Sequence, residues 1–177
     1  MRRRKSRPPK PPENGNWPWT KSPITGALGG QDLDVTSRAL QATLVDMIDL
    51  HLVAKQAHWN VVGKNFRDVH LHLDELVNEA RGYADDVAER CAALGVPPDG
   101  RASTVAERSS VLRFEPGWRM DRDVSEAITA ALEGVIDRLR ERVQETDRTD
   151  LITQDLLIGI TRELEKTHWM WQAKLAS

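Results

Sequence analysis

The stretch from His58 to Arg90, HWNVVGKNFRDVHLHLDELVNEARGYADDVAER, decides how this chain is built. Five side chains in it can ligate a metal: His58, His70, Asp74, Asp85 and Glu89. Asn60-Val-Val-Gly63-Lys-Asn65 makes a break between two helices. On a helix advancing ~100° per residue with His70 at zero, Asp74 falls near ~40°, Asp85 near ~60° and Glu89 near ~100°. These residues share one stripe beside an apolar sector that holds Val69, Leu73, Leu76, Val77, Ala80, Ala84, Val87, Cys91 and Leu94. Asp68, His72, Glu75, Glu79 and Asp86 occupy the far sector. Asp74 and Asp85 lie eleven residues apart, which at ~1.5 Å per residue is roughly 16 Å along the axis, too far to share an ion. One chain therefore cannot close the site. A two-fold axis that sets a second copy of the helix antiparallel brings Asp85 and Glu89 of one subunit beside His58, His70 and Asp74 of another.

Apolar periodicity places helices on both sides of this stretch. The first starts after Asp32 or Asp34, whose carboxylates are expected to cap it, and carries Leu40, Leu44, Met47, Ile48, His51, Ala54 and His58 to about Val61. The second runs from Asn65, read as a cap, to Leu94, where Gly95-Val-Pro-Pro-Asp-Gly100 stops it. The connection from Gly95 to Met120 is too long to be structureless in a compact domain, and Ser103 is read as the cap of a short helix through Ser110. A third long helix spans about Asp121 to Glu145. A fourth spans about Asp150 to Leu175 on Ile152, Leu156, Ile160, Leu164, Thr167 and Trp171. No strand-like alternation competes. Two helix pairs with short internal links and a long crossing between them describe an all-α, ferritin-like four-helix bundle with a short extra helix in the crossing.

Residues 1–31 form a Pro/Gly-rich basic tail, and residues 32–177 the domain. Arg2, Arg3, Arg4, Lys5, Arg7 and Lys10 carry the tail's charge. Without these six, 19 of the 25 basic residues face 27 acidic ones, so the body carries −8. A basic arm on an acidic globule fits a polyanionic partner, although a solubilising terminus is the plainer reading. Trp17 and Trp19 are read as packing on the body or a neighbouring subunit, with stacking on nucleic acid as the alternative. One cysteine, Cys91, excludes a disulfide framework and fits a reducing compartment. No apolar run reaches membrane-span length, and the Pro-rich segment after Arg2 to Lys5 is unlike a signal peptide.

The segment Asp46-Met-Ile-Asp-Leu-His-Leu-Val-Ala-Lys-Gln-Ala-His-Trp-Asn60, followed by Gly63, Asn65-Phe66, His70, Asp74, Asp85 and Glu89-Arg90, closely resembles the Dps family, DNA-binding proteins from starved cells. The resemblance covers about residues 32 to 175 and leaves the tail unmatched. It implies a hollow homododecamer built from two-fold dimers, whose interfaces carry di-iron ferroxidase sites. Such a shell oxidises Fe(II), preferentially with hydrogen peroxide, stores ferric mineral and protects DNA in the cytoplasm, in association with the nucleoid. Implied ligands are His58, His70 and Asp74 from one subunit and Asp85 and Glu89 from its partner, with Trp59 packed beside the site. The tail residues Arg2 to Lys10 would bind DNA without sequence preference. A DNA-compacting structural shell with a weak or idle metal site is the alternative function. Asp121 and Asp123 are candidates for an iron-entry pore, although helix N-termini favour acids without one. Glu165-x-x-His168 copies a di-iron spacing but lacks a second pair and is read as a decoy. His51 is read as core or interface. His72, Glu75, Glu79 and Asp86 are candidates for the cavity lining, or simply a solvated face.

Overall fold

The computed structural model describes residues 22–176, so the expectations for Arg2, Arg3, Arg4, Lys5, Arg7, Lys10, Trp17 and Trp19 lie outside the described residues. Within that range the order is α1 (Gly30–Asn60), β1 (Val61–Val62), α2 (Phe66–Ala93), α3 (Ala102–Arg108), β2 (Arg119–Met120), α4 (Asp121–Thr146) and α5 (Leu151–Leu175). α1 packs on α2 and α4 on α5. The two hairpins join chiefly through α1 and α4, which makes the four-helix bundle.

The periodic apolar residues of each helix meet in one core. Leu40, Met47, Leu50, Leu73, Leu76, Ile128, Leu132, Leu139, Leu157 and Leu164 are fully buried. Truncating one of these leucines to alanine costs about 2–5 kcal/mol, because transfer and cavity terms add. Trp171 is also fully buried, between α5 and α2, where His72 stacks on it at 4.4 Å between ring centroids and 2° between planes. His72 therefore belongs to the interior of this subunit rather than to the solvated far sector of α2, because α5 lies over that side. Ile152 moves the other way: it is 65 % exposed, while Thr153 and Leu157 point inward.

Asp46 is the one acid deep in the α1–α4 contact among the described residues. It accepts from Arg138 Nε at 3.0 Å and Nη2 at 3.1 Å, and Arg142 Nη1 lies 2.7 Å away. Two guanidiniums on one carboxylate satisfy a charge that would otherwise be prohibitive to bury.

Helix starts differ from the expected caps. α1 begins at Gly30 after Gly29, with no side-chain cap, and Asp32 lies in its first turn. Asn65 precedes α2 without capping it through its side chain. Its backbone N–H instead donates to Asp121 Oδ2 at 2.6 Å, so the start of α4 holds the start of α2. The parallel pairing of Val61 and Val62 with Arg119 and Met120 joins the same two places, a strand contact too short to register as alternation in the sequence. Gly63 is required here: its φ is +131°, and a Cβ would sit 2.7 Å from Asp121 Cγ. In the crossing, α3 starts at Ala102 after Arg101, and Ser103 lies inside it. The Asp99 carboxylate organises that start, accepting from the Arg101 guanidinium, the Arg101 N–H and the Thr104 hydroxyl. α5 does begin on Asp150, which accepts from Thr153 N–H at 3.2 Å and from Arg90 Nη2 at 2.6 Å.

Candidate metal centre

The turn between α1 and α2 brings the last turn of one helix against the first turns of the next. His58 and His70 meet there face to face, with centroids 3.6 Å apart and planes inclined by 23°. Each ring's Nδ1 lies 3.0 Å from the backbone carbonyl of the other histidine. A carbonyl can only accept, so each Nδ1 donates, and in a neutral ring this tautomer leaves the Nε2 lone pair for a metal; His58 Nδ1 also lies 3.3 Å from Asp74 Oδ1. Reciprocal backbone contacts of this kind also fix ring orientation, as outer partners of metal-ligating histidines generally do.

Asp74 stands one turn beyond His70. Ligand atoms of His58, His70 and Asp74 all lie within 4.8 Å of one another, the sole such grouping among the described residues. His58 is buried, His70 half-buried, and the Asp74 side chain is 41 % exposed, so the group opens outward at the helix surface. Asp85 and Glu89 are exposed on α2 and are not brought into the group. Asp85 instead borders a shallow hollow of about 330 Å³ shared with Leu44, Ile48, His51 and Arg81. Within one chain the expected ligands are thus three together and two apart.

Lys55 was not anticipated. Its Nζ lies 2.6 Å from Asp74 Oδ1, and that contact holds the Asp74 carboxyl below the usual carboxylate range, against a small opposing effect of burial. Its signal in the sequence was its place one turn before His58 on α1. The same ammonium lies 6.0 Å from the centroid of the Trp59 ring, whose residue is 63 % exposed.

The remaining sequence candidates divide. Asp121 is 6 % exposed and accepts from the N–H groups of Asn65 and Arg122, so its carboxylate ties the helix junction together, whereas Asp123 is exposed. Glu165 pairs with Arg140, and Glu165 and His168 join no group of ligands. His51 is half-buried, and burial together with Arg81 keeps it below its ordinary pKa. Glu79 accepts from the Thr167 hydroxyl at 3.1 Å, yet burial raises its pKa. Cys91 is buried and its thiol is pushed up to about 11, which makes it inert core.

A long-crossing four-helix bundle with an imidazole–carboxylate group on one helix pair is ferritin-like, and residues 37–177 match the model of the ferritin-like domain. Over 142 residues the chain is 42 % identical to the DNA protection during starvation protein of Mycolicibacterium smegmatis, covering 78 % of this chain and 75 % of that one. The solved Mycobacterium smegmatis Dps is similar at 36 % identity and a TM-score of 0.83, over 88 % of this chain and 89 % of that one. Dps from Microbacterium arborescens in the high iron form is similar at 35 % identity and a TM-score of 0.82, over 87 % of this chain and 100 % of that one. The chain belongs to the Dps family of ferritin-like proteins.

Proposed function

We propose that this chain is the subunit of a Dps-type shell that oxidises Fe(II) at a site shared between two-fold-related subunits, stores the ferric product as mineral and protects DNA. The observation that carries this reading is the division of the ligand set. His58, His70 and Asp74 converge within 4.8 Å, while Asp85 and Glu89 stand exposed farther along the same helix. Two imidazoles and one carboxylate suit a divalent iron substrate, and a three-ligand half-site leaves positions for the partner's acids and for water or peroxide. A two-fold axis across α2 supplies Asp85 and Glu89 in trans.

The reaction balances with peroxide as oxidant. Two Fe(II) each give one electron, the O–O bond of H2O2 breaks, and two protons convert its oxygens to two waters. Coupling both electrons to one peroxide avoids free hydroxyl radical, which links oxidation to DNA protection in the cytoplasm and at the nucleoid. Trp59, exposed and next to His58 in the chain, would intercept stray oxidising equivalents in this reading. The assembly in this reading is a homododecamer, with Asp121 and Asp123 as the candidates for an entry pore. DNA is held through Arg2, Arg3, Arg4, Lys5, Arg7 and Lys10. Many weak phosphate contacts from several arms on one particle act together through high effective concentration.

The decisive experiment mixes subunits. A His58→Ala/His70→Ala chain and an Asp85→Ala/Glu89→Ala chain should each lack peroxide-accelerated Fe(II) oxidation, and verified heterodimers should regain part of it. Heterodimers that stay inactive would refute sharing across subunits. Lys55 on Asp74 favours the second reading, a DNA-compacting shell with a weak site. That reading requires intact shells that shift DNA in a gel but show no peroxide-dependent oxidation. Removal of residues 1–12 should abolish or greatly weaken the gel shift.

A further inference from the structure

Where the described chain begins, Ser22 to Gly26 run as a strap across the C-terminal end of α2. The contact is backbone on backbone: a Cβ on Gly26 would lie 2.4 Å from Leu94 O, and one on Gly95 would lie 2.7 Å from Ile24 O. Both positions need glycine, and Gly95 in addition has φ +80°. Ser22 Oγ accepts from Ile24 N–H at 3.2 Å and stiffens the strap locally. Beside the strap lies a groove of about 360 Å³ walled mainly by Pro23, Ile24, Ala92, Val96 and Pro97, with no ionisable side chain among the described residues that line it. That volume is at the lower end of clefts that hold small organic ligands, a size for one bulky side chain.

We propose that the indole of Trp19 from the same chain fills this groove and fixes where the basic arm leaves the subunit. The groove borders Ser22 itself, and Trp19 precedes Ser22 by three residues. At about 3.3–3.6 Å per residue, the Trp19 Cα stays within roughly 11 Å of the Ser22 Cα whatever the backbone does. The residues between, Thr20 and Lys21, are polar and do not match the apolar walls. Trp17 lies two residues farther along the tether. A tether of three residues gives the chain's own indole an effective concentration on the order of millimolar or above, which a second copy or a separate partner has to exceed. Docked in this way, Trp19 leaves the segment from Arg2 to Lys10 projecting from one fixed point at the end of α2.

The test uses the full chain under limited digestion with trypsin. Trp19→Ser and, separately, Val96→Asp should each speed cleavage after Lys21 by about fivefold or more while leaving cleavage after Lys5 unchanged, because cleavage follows the undocked population. Trp17→Ser, which keeps the Trp19 indole, should leave cleavage after Lys21 at the parent rate. Cleavage after Lys21 that is equal in the parent and in Trp19→Ser, or that speeds as much in Trp17→Ser, overturns the proposal.

Discussion

Replacing Lys55 with glutamine tests whether the ammonium on Asp74 competes with the metal. Its Nζ lies 2.6 Å from Asp74 Oδ1, and a dication that takes this oxygen must displace it. The two side chains are 30 % and 41 % exposed, so water screens the pair and the deep-interior scale does not apply. A solvated ion pair of this kind contributes about 0.2–1 kcal/mol, which corresponds to roughly 1.4- to 5-fold in metal affinity. Lys55→Gln should therefore tighten Co(II) binding, followed by its visible absorption near neutral pH, by a factor in that range. Lys64→Gln, on an exposed residue outside the ligand group, is the matched control and should leave affinity unchanged. Glutamine keeps the first two methylenes of a half-buried side chain, so a change in fold is not expected, and circular dichroism checks it. Unchanged or weaker Co(II) binding in a correctly folded Lys55→Gln chain would refute the competition. Because the contact also depresses the Asp74 pKa, the sign in acid is fixed. Asp74 should begin to lose metal to protons at a higher pH in the variant than in the parent.

Asp46→Asn should lower stability by about 3–5 kcal/mol, because it leaves the Arg138 and Arg142 guanidiniums without their buried counter-charge. Urea midpoints at one fixed protein concentration measure this, since assembly couples to stability. An equal midpoint would mean that the cluster is neutral in energy. Gly63→Ala should cost about 1–3 kcal/mol from its positive φ and its collision with Asp121, and should also weaken metal binding because the turn sets His58 against His70. A destabilised variant that binds Co(II) as the parent does would separate the turn from the site. Glu79 is raised above its ordinary 4.5 by burial, so the folded chain holds this proton more tightly than the unfolded one. Stability from this group is therefore lost as pH rises from the ordinary value through the folded one. Glu79→Gln, which can still accept from Thr167, should be the more stable chain near neutral pH and should lose that advantage in acid. A difference that is constant across the titration would exclude the linkage.

What the sequence disclosed depended on how far apart in the chain the interacting groups lie. Helix extents followed from apolar spacing, since Leu40, Leu44, Met47 and Leu50 repeat with the helical period and all four are buried. The separation of Asp85 and Glu89 from the histidines likewise followed from the fixed rise of a helix, and the structure keeps them apart. Contacts that depend on how one element meets another did not show. Asp121 looked like an acid at a helix start, but 56 residues earlier in the chain the N–H of Asn65 needed an acceptor, and that demand decided its place. His72 reads as polar on a helical wheel, yet Trp171 from α5 lies flat on it and takes it inside. Lys55 stands between the two cases. Its spacing from His58 was visible on α1, but only the hairpin turn, 19 residues of separation folded back on themselves, sets it on Asp74. The half-site is therefore already satisfied in the isolated chain by a residue of its own. In the proposed shared site a metal has to displace that lysine, and Asp85 and Glu89 of a second copy would bring two further carboxylates able to recruit the ammonium as well as the metal.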